Sequence, residues 1–207
     1  MQNENDYNAI VVIGNWNLSI FSEEWVRKFI LTDEKELEIE IPLQPGNSIR
    51  YSTPDFRFFI NGVKLCFSIL NTKDETYEKI VRYALRTLEV LQHTPISAYG
   101  INFNLLIKST QQVEGLFHLA DSESLSNAFR IKETSITRIF DMPDLECELN
   151  HFIINSSEGI IMKFNFHSVA TSFVQFKSRF DIDTFFEKKK RAFDILNNIY
   201  GLKLSES

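Results

Sequence analysis

A chain of 207 residues with a net charge of −6 and a pI near 5.3 can bury a sizeable core as one domain spanning 1–207. The acidic balance argues against a general nucleic-acid binder, whose affinity comes from a basic field on phosphate. No apolar run approaches the roughly 20 residues needed to cross a bilayer. The start, Met1-Gln-Asn-Glu-Asn-Asp6, is acidic where a secretory leader is basic and then apolar, so a cytoplasmic location is expected.

Residues 9–16 read as a strand. Ser22 is a candidate N-cap, followed by Glu23, Glu24 and a stripe of Trp25, Val26, Phe29 and Ile30 that predicts a helix ending near Leu31. Leu37, Ile39, Ile41 and Leu43 alternate with Glu36, Glu38, Glu40 and Pro42, a half-buried strand with an acidic outer face. Paired carboxylates can do acid–base work, but three on one strand face more often blunt a sheet edge. A turn at 45–48 and a strand over 49–60, bent at Pro54, come next. Asn61-Gly62 signals a hairpin because both residues tolerate positive φ. Residues 63–70 return as its partner strand.

Asp74 is the expected N-cap of a long helix. Its apolar stripe is Tyr77, Ile80, Val81, Ala84, Leu85, Leu88 and Leu91, and Pro95 stops it. A strand over 96–107 follows at once. Period two puts Tyr99, Ile101, Phe103, Leu105 and Ile107 on one face, with Ala98, Gly100, Asn102 and Asn104 on the other. Residues 111–129 predict two short helices or a kinked one, and 131–140, 145–155, 159–167 and 170–177 predict four strands. A helix over 182–200 closes the chain, with Gly201 as its C-cap. Only the terminal stretches 1–6 and 203–207 read as disordered.

The element order repeats. Residues 9–92 and 96–200 each run strand, helix, three or four strands, long helix, offset by 87 residues from Ala9 to Ile96. The expected fold is α+β: two β-α-β-β-β-α halves, largely antiparallel, with long helices packed on the sheets and a pseudo-twofold if the repeat is a duplication.

The search for chemistry is mostly negative. No glycine-rich phosphate loop, Rossmann fingerprint or nucleophile elbow occurs. His93, His118, His151 and His167 lack metal-ligand spacing, so no metal, cofactor or catalytic residue is assigned. His151 and His167 lie on adjacent predicted strands. If the turn centres near Ser157–Glu158, residues whose numbers sum to about 315 pair, and the two histidines become near neighbours. Cys66 and Cys147 are expected to be reduced, although a nucleophilic Cys66 stays open. Asn102 is either a ligand or partner contact, with Asn104 beside it, or an amide that ties down a neighbouring loop. Phe164, Phe166, Phe173 and Phe176 are either core or an interface. Lys188, Lys189, Lys190 and Arg191 are the one strong basic cluster, read as a solvated helix face or a nucleic-acid or lipid patch.

The helix-to-strand junction with Gly100-Ile-Asn-Phe-Asn104 resembles that of a sporadically distributed bacterial family with a two-half α+β layout, whose strand reads roughly G-L-R-Y-x-N. Gly100 and Asn104 match in spacing and Phe103 matches the tyrosine, while Asn102 stands where the family has arginine. The resemblance implies a fold class and a bacterial origin, and no chemistry. Together these readings point to a non-enzymatic interaction protein: a homo-oligomer or an accessory subunit of a bacterial complex, with a defence-related role as a further guess. The alternative is a small-ligand binder or enzyme with an apolar pocket between sheet and helix.

Overall fold

The structure, a computed structural model, describes residues 2–3, 7–40, 49–107, 113–117, 120–156 and 159–202. The expectations for 41–43, the turn at 45–48, 111–112, His118, turn residues 157–158 and the rest of the termini lie outside the described residues.

In chain order the elements are β1 (Gln2–Asn3), β2 (Tyr7–Gly14), α1 (Glu23–Phe29), β3 (Glu38–Glu40), β4 (Ile49–Ser52), β5 (Phe56–Ile60), β6 (Lys64–Ile69) and α2 (Asp74–Val90). Then come β7 (Ile96–Ile107), α3 (Ser122–Ala128), β8 (Thr134–Met142), β9 (Cys147–Ser156), β10 (Gly159–Val169), α4 (Phe173–Lys177) and α5 (Ile182–Asp194). The fold is α+β. Nine strands form one sheet in the order β3-β4-β5-β6-β2-β7-β10-β9-β8, every pair antiparallel, and β1 adds to β7 beside β2. The path runs through both predicted halves, joined by β2 against β7.

Local chemistry explains most boundaries. Ser22 caps α1 by accepting from Trp25 N at 3.2 Å. Lys73, not Asp74, occupies the cap position of α2, so Asp74 is a first-turn residue whose charge suits the helix dipole. The segment 49–60 is two strands, not one bent strand. Pro54 sits at the second position of a turn closed by Thr53, whose hydroxyl donates to Phe56 O at 2.9 Å and accepts from Phe56 N at 3.1 Å. The Asn61-Gly62 hairpin forms without positive φ. The Asn61 carboxamide oxygen accepts from Val63 N and Lys64 N at 3.0 and 2.8 Å.

The fourth strand expected over 170–177 is instead the short helix α4. Ser172 caps it through Gln175 N, and Gln175 Oε1 accepts from Thr171 N at 2.9 Å. Across 111–129 the described pieces are a 3-10 turn, Glu114–Phe117, and α3. Val113 and Phe117 are buried, whereas Leu125 and Phe129 of the expected second stripe are exposed. The last helix ends in a single π turn, Ile195–Ile199. Gly201 then takes φ +65° while Leu202 N donates to Leu196 O, the left-handed ending expected of a C-cap glycine.

The core centres on aromatic rings from four elements. Tyr77 of α2 lies 6.5 Å from Phe103 of β7 and 5.4 Å from Phe185 of α5, centroid to centroid, and Phe103 lies 5.4 Å from Phe185. Its hydroxyl meets Tyr7 of β2 at 3.0 Å. Phe185 and Phe103 are buried. Truncating Phe185→Ala is expected to cost about 3–5 kcal/mol, read from denaturant unfolding; a loss below about 1 kcal/mol would show that this junction does not organise the core.

Candidate functional site

From Tyr99 to Ile107 the side chains of β7 alternate. Tyr99, Ile101, Phe103, Leu105 and Ile107 are buried, with Phe103 against Tyr77 and Phe185, and Gly100, Asn102 and Asn104 face the other way. On that second face the register sets Asn102 opposite Asn165 of β10, and Asn165 opposite Asn150 of β9. The amides form a line. Asn150 Nδ2 donates to Asn165 Oδ1 at 3.5 Å, Asn165 Nδ2 donates to Asn102 Oδ1, and Asn102 Nδ2 donates to the backbone oxygen of Asn8 at 2.6 Å. Ser68 of β6 extends it by donating to Asn8 Oδ1 at 2.7 Å. One polar ladder therefore crosses β9, β10, β7, β2 and β6.

Gly100 makes room for it. A Cβ there would sit 2.8 Å from Asn165 Nδ2, closer than real contacts allow. Asn102 is thus the tying amide that one reading of the sequence anticipated, except that it ties strands rather than a loop. A depression of about 560 Å³ lies over the ladder, lined by Asn102, Asn104, Asn165, Lys163, Phe152 and His167 among others. The alternative function called for an apolar pocket between sheet and helix. This concavity is on the opposite face and is rich in amides. Asn150, Asn165 and Asn102 each commit one N–H to the line.

The two histidines do not meet. The pairing sum of 315 holds, with His151 opposite Phe164 and Ile160 opposite Asn155. His167 pairs with Glu148, an odd three residues from His151, so the two rings project to opposite faces. His167 lines the depression. His151 is fully buried, stacked on Phe164 at 4.3 Å, with Nδ1 3.1 Å from Lys163 O and Nε2 3.1 Å from Tyr200 Oη. Burial holds its pKa below the usual histidine value, Arg138 adding to the shift and the Lys163 bond opposing it.

Phe164, Phe166 and Phe176 are buried, and Phe173 is half-buried under Lys177. None of the first three offers surface to a partner. Phe176 stacks on Phe180 at 4.5 Å, and both pack against Tyr99 from α4 and the turn that follows it, rather than from a strand.

The basic run does not form a patch. Lys188 is buried, its Nζ 5.5 Å from the centre of the Tyr99 ring and without a hydrogen-bond partner among the described residues. Lys189 pairs with Asp74 and Arg191 with Asp144, each at 2.5 Å, while Lys190 is exposed. Helical spacing sends four consecutive charges to four environments. Both thiols are buried, and burial pushes Cys66 up to about 12, which leaves it unsuited to nucleophilic attack. Among the described residues no three His, Cys, Asp or Glu side chains gather as a metal site, and no helix is long and apolar enough to cross a membrane.

The sheet's two outer strands differ. The described part of β3, Glu38–Glu40, carries two acids, with Glu40 paired to Arg50 at 2.9 Å. β8 is nine residues long and has one neighbour, β9, among the described residues. It exposes Ile139 and Phe140, at 63% and 42%. No run of charges guards it, and edge position is the feature that periodicity alone could not reveal.

Three outcomes follow from these placements. Asn165→Ala should cost about 1–3 kcal/mol in unfolding, because it leaves Asn102 Oδ1 and Asn150 Nδ2 without their partners; no change in midpoint would mean that the ladder is decorative. Lys188→Met should raise the melting temperature, since it removes a buried amine with no partner while keeping the stem's packing; a lower melting temperature would count against this. His151 has a depressed folded pKa, so its contribution to stability is full above about pH 6.5 and declines as pH falls from there towards the folded pKa. His151→Gln should flatten that part of the melting-temperature profile, and an unchanged acid limb would refute the assignment.

No protein-family model matches the chain, and no curated protein matches it.

Proposed function

We propose that the protein acts by protein–protein contact rather than by catalysis, as a homo-oligomer or as an accessory subunit of a complex in the bacterial cytoplasm. The observation that carries this reading is where the exposed apolar side chains lie. Ten large hydrophobic residues are exposed among the described residues, and five of them, Leu125, Phe129, Ile131, Ile139 and Phe140, fall in the stretch 125–140 that leads into and forms the edge strand β8. Scattered apolar residues need no explanation, but a concentration beside an open edge is what contact surfaces look like. Light scattering on the purified chain, with affinity purification from the native host, tests this. A mass that is a multiple of 24.2 kDa, or a stoichiometric protein partner lost in the Phe129→Ser/Phe140→Ser variant, is expected. A monomer that co-purifies with nothing overturns it.

A second reading, a binder of a small polar ligand, is favoured by the amide-lined depression over Asn102 and Asn165. A screen of hydroxylated and amide compounds by thermal shift should find one whose effect Asn165→Ala removes; a panel with no such compound would dispose of it.

We also read the sheet as an internal duplication, in keeping with the family resemblance of the β7 junction. Moving outward from β2 and β7, the neighbours are β6 then β5 on one side and β10 then β9 on the other, each the last and next-to-last strand of its half. Superposing β2-β6-β5-α2 on β7-β10-β9-α5 by a twofold between β2 and β7 tests it, and a failure to bring α2 onto α5 would end it.

A further inference from the structure

We infer that the occupant of the β8 edge is a second copy of this chain, paired antiparallel with Ile139 opposite Ile139 across a twofold perpendicular to the sheet, so that the two sheets become one. The inference rests on the contact reading above and makes it specific.

Pairing rules narrow the registers. In an antiparallel pair, directly opposed residues share both hydrogen-bonding type and sheet face. A strand that pairs with its own copy must therefore set residue i against a residue of the same parity, which puts the twofold on a residue and not between two. β8 reads Thr134-Ser-Ile-Thr-Arg-Ile-Phe-Asp-Met142. A twofold on Arg138 sets guanidinium against guanidinium, and one on Asp141 sets carboxylate against carboxylate; like charges directly opposed are destabilising. A twofold on Phe140 sets the Asp141 carboxylate against Ile139. With the twofold on Thr137, Ile139 and Phe140 face Ser135 and Thr134.

A twofold on Ile136 carries Ile139 and Phe140 past the start of the partner strand, opposite Glu133 and Lys132. Of these registers only the twofold on Ile139 matches chemistry throughout. Ile136 then faces Met142, Arg138 faces Phe140, and Thr137 faces Asp141, each pair occurring twice, around the central isoleucines. Apolar side chains meet apolar ones, a hydroxyl can donate to a carboxylate, and a guanidinium lies beside an aromatic ring. Asp141 already has an acidic neighbour, Glu148, opposite it on β9. This register gives it a donor on its free side and keeps the two acidic pairs apart. The strand is accessible for such pairing: Ser135, Thr137, Ile139 and Asp141 on the open face are all exposed. The opposite edge is guarded against the same association by Glu38 and Glu40 of β3.

Site-specific cross-linking tests the register. Ile139→Cys should convert most of the chain to a disulfide-linked dimer under mild oxidation, since the two thiols face each other across the axis. Thr137→Cys alone should not cross-link, because its copy lies four residues along the strand. A mixture of T137C chains and D141C chains should yield the mixed dimer. Cys66 and Cys147 are buried and supply no background. Light scattering on each reduced variant shows whether the chain associates without the link. A chain that is dimeric by light scattering, yet fails to cross-link through both Ile139→Cys and the mixed pair, overturns the β8 inference and leaves self-association standing elsewhere. A chain that stays monomeric and uncross-linked overturns the second copy as occupant, and the contact reading then stands or falls on the stoichiometric partner alone.

Discussion

The alternation along β7 is the constraint from which the rest follows. Every second side chain from Tyr99 to Ile107 is apolar and buried, and the intervening ones are alanine, glycine or amide as far as Asn104. A sheet built around such a strand has one face that must be covered and one that need not be. The helices answer the first requirement, with Tyr77 and Phe185 meeting Phe103. The ladder answers the second, because amides that bond one another across strands can face water without leaving donors or acceptors idle. Charged residues in those central places would have had to be separated or paired at every register position.

The same division sets the surface. Net charge is −6, yet the ladder itself is neutral, and Lys163 and His167 line the depression over it. Among the described strands the acids are Glu38 and Glu40 of β3, Asp141 of β8 and Glu148 of its neighbour β9. Charge thus lies towards the two edges and leaves the middle of the open face to hydrogen bonding. The β8 edge has the length and apolar content that proteins normally avoid.

Much of this was legible in the sequence, and the failures have identifiable causes. β7 and α2 were readable because their apolar patterns persist for a dozen residues or more, and the β9–β10 register because a short turn fixes the pairing sum. Helix α4 is easily taken for a strand because two phenylalanines in the eight residues 170–177 suit either element. The deciding signal was smaller: Ser172 and Gln175 at capping-box spacing. The split of 49–60 hung on Thr53 closing a turn around Pro54, a backbone detail that apolar periodicity does not report. The histidine pair failed on parity alone. Lys188 was counted with its neighbours as a charge, although an i, i+3 step from Phe185 and an i, i+4 step to Ala192 put it on the buried stripe. The ladder was invisible as a whole because Asn8, Asn102, Asn150 and Asn165 come from four strands whose order no local pattern encodes.

The ladder also has a direction, and one end fixes it. The Asn8 partner of Asn102 is a backbone carbonyl, which can only accept, so Asn102 must present its nitrogen there. Its oxygen then points to β10 and can only accept, so Asn165 must present its own nitrogen. The same step repeats at Asn150, whose nitrogen faces the Asn165 oxygen. Turning Asn102 or Asn165 by half a revolution would set nitrogen against nitrogen on one side and oxygen against oxygen on the other, and turning Asn150 would set its oxygen against that of Asn165. The three amides are therefore held as a unit, each orientation enforced by the one before it. Gly100 belongs to that unit, since the Asn165 nitrogen reaches Asn102 only by crossing the space a side chain would fill. A single glycine and a single main-chain oxygen thereby determine how the whole open face presents its donors.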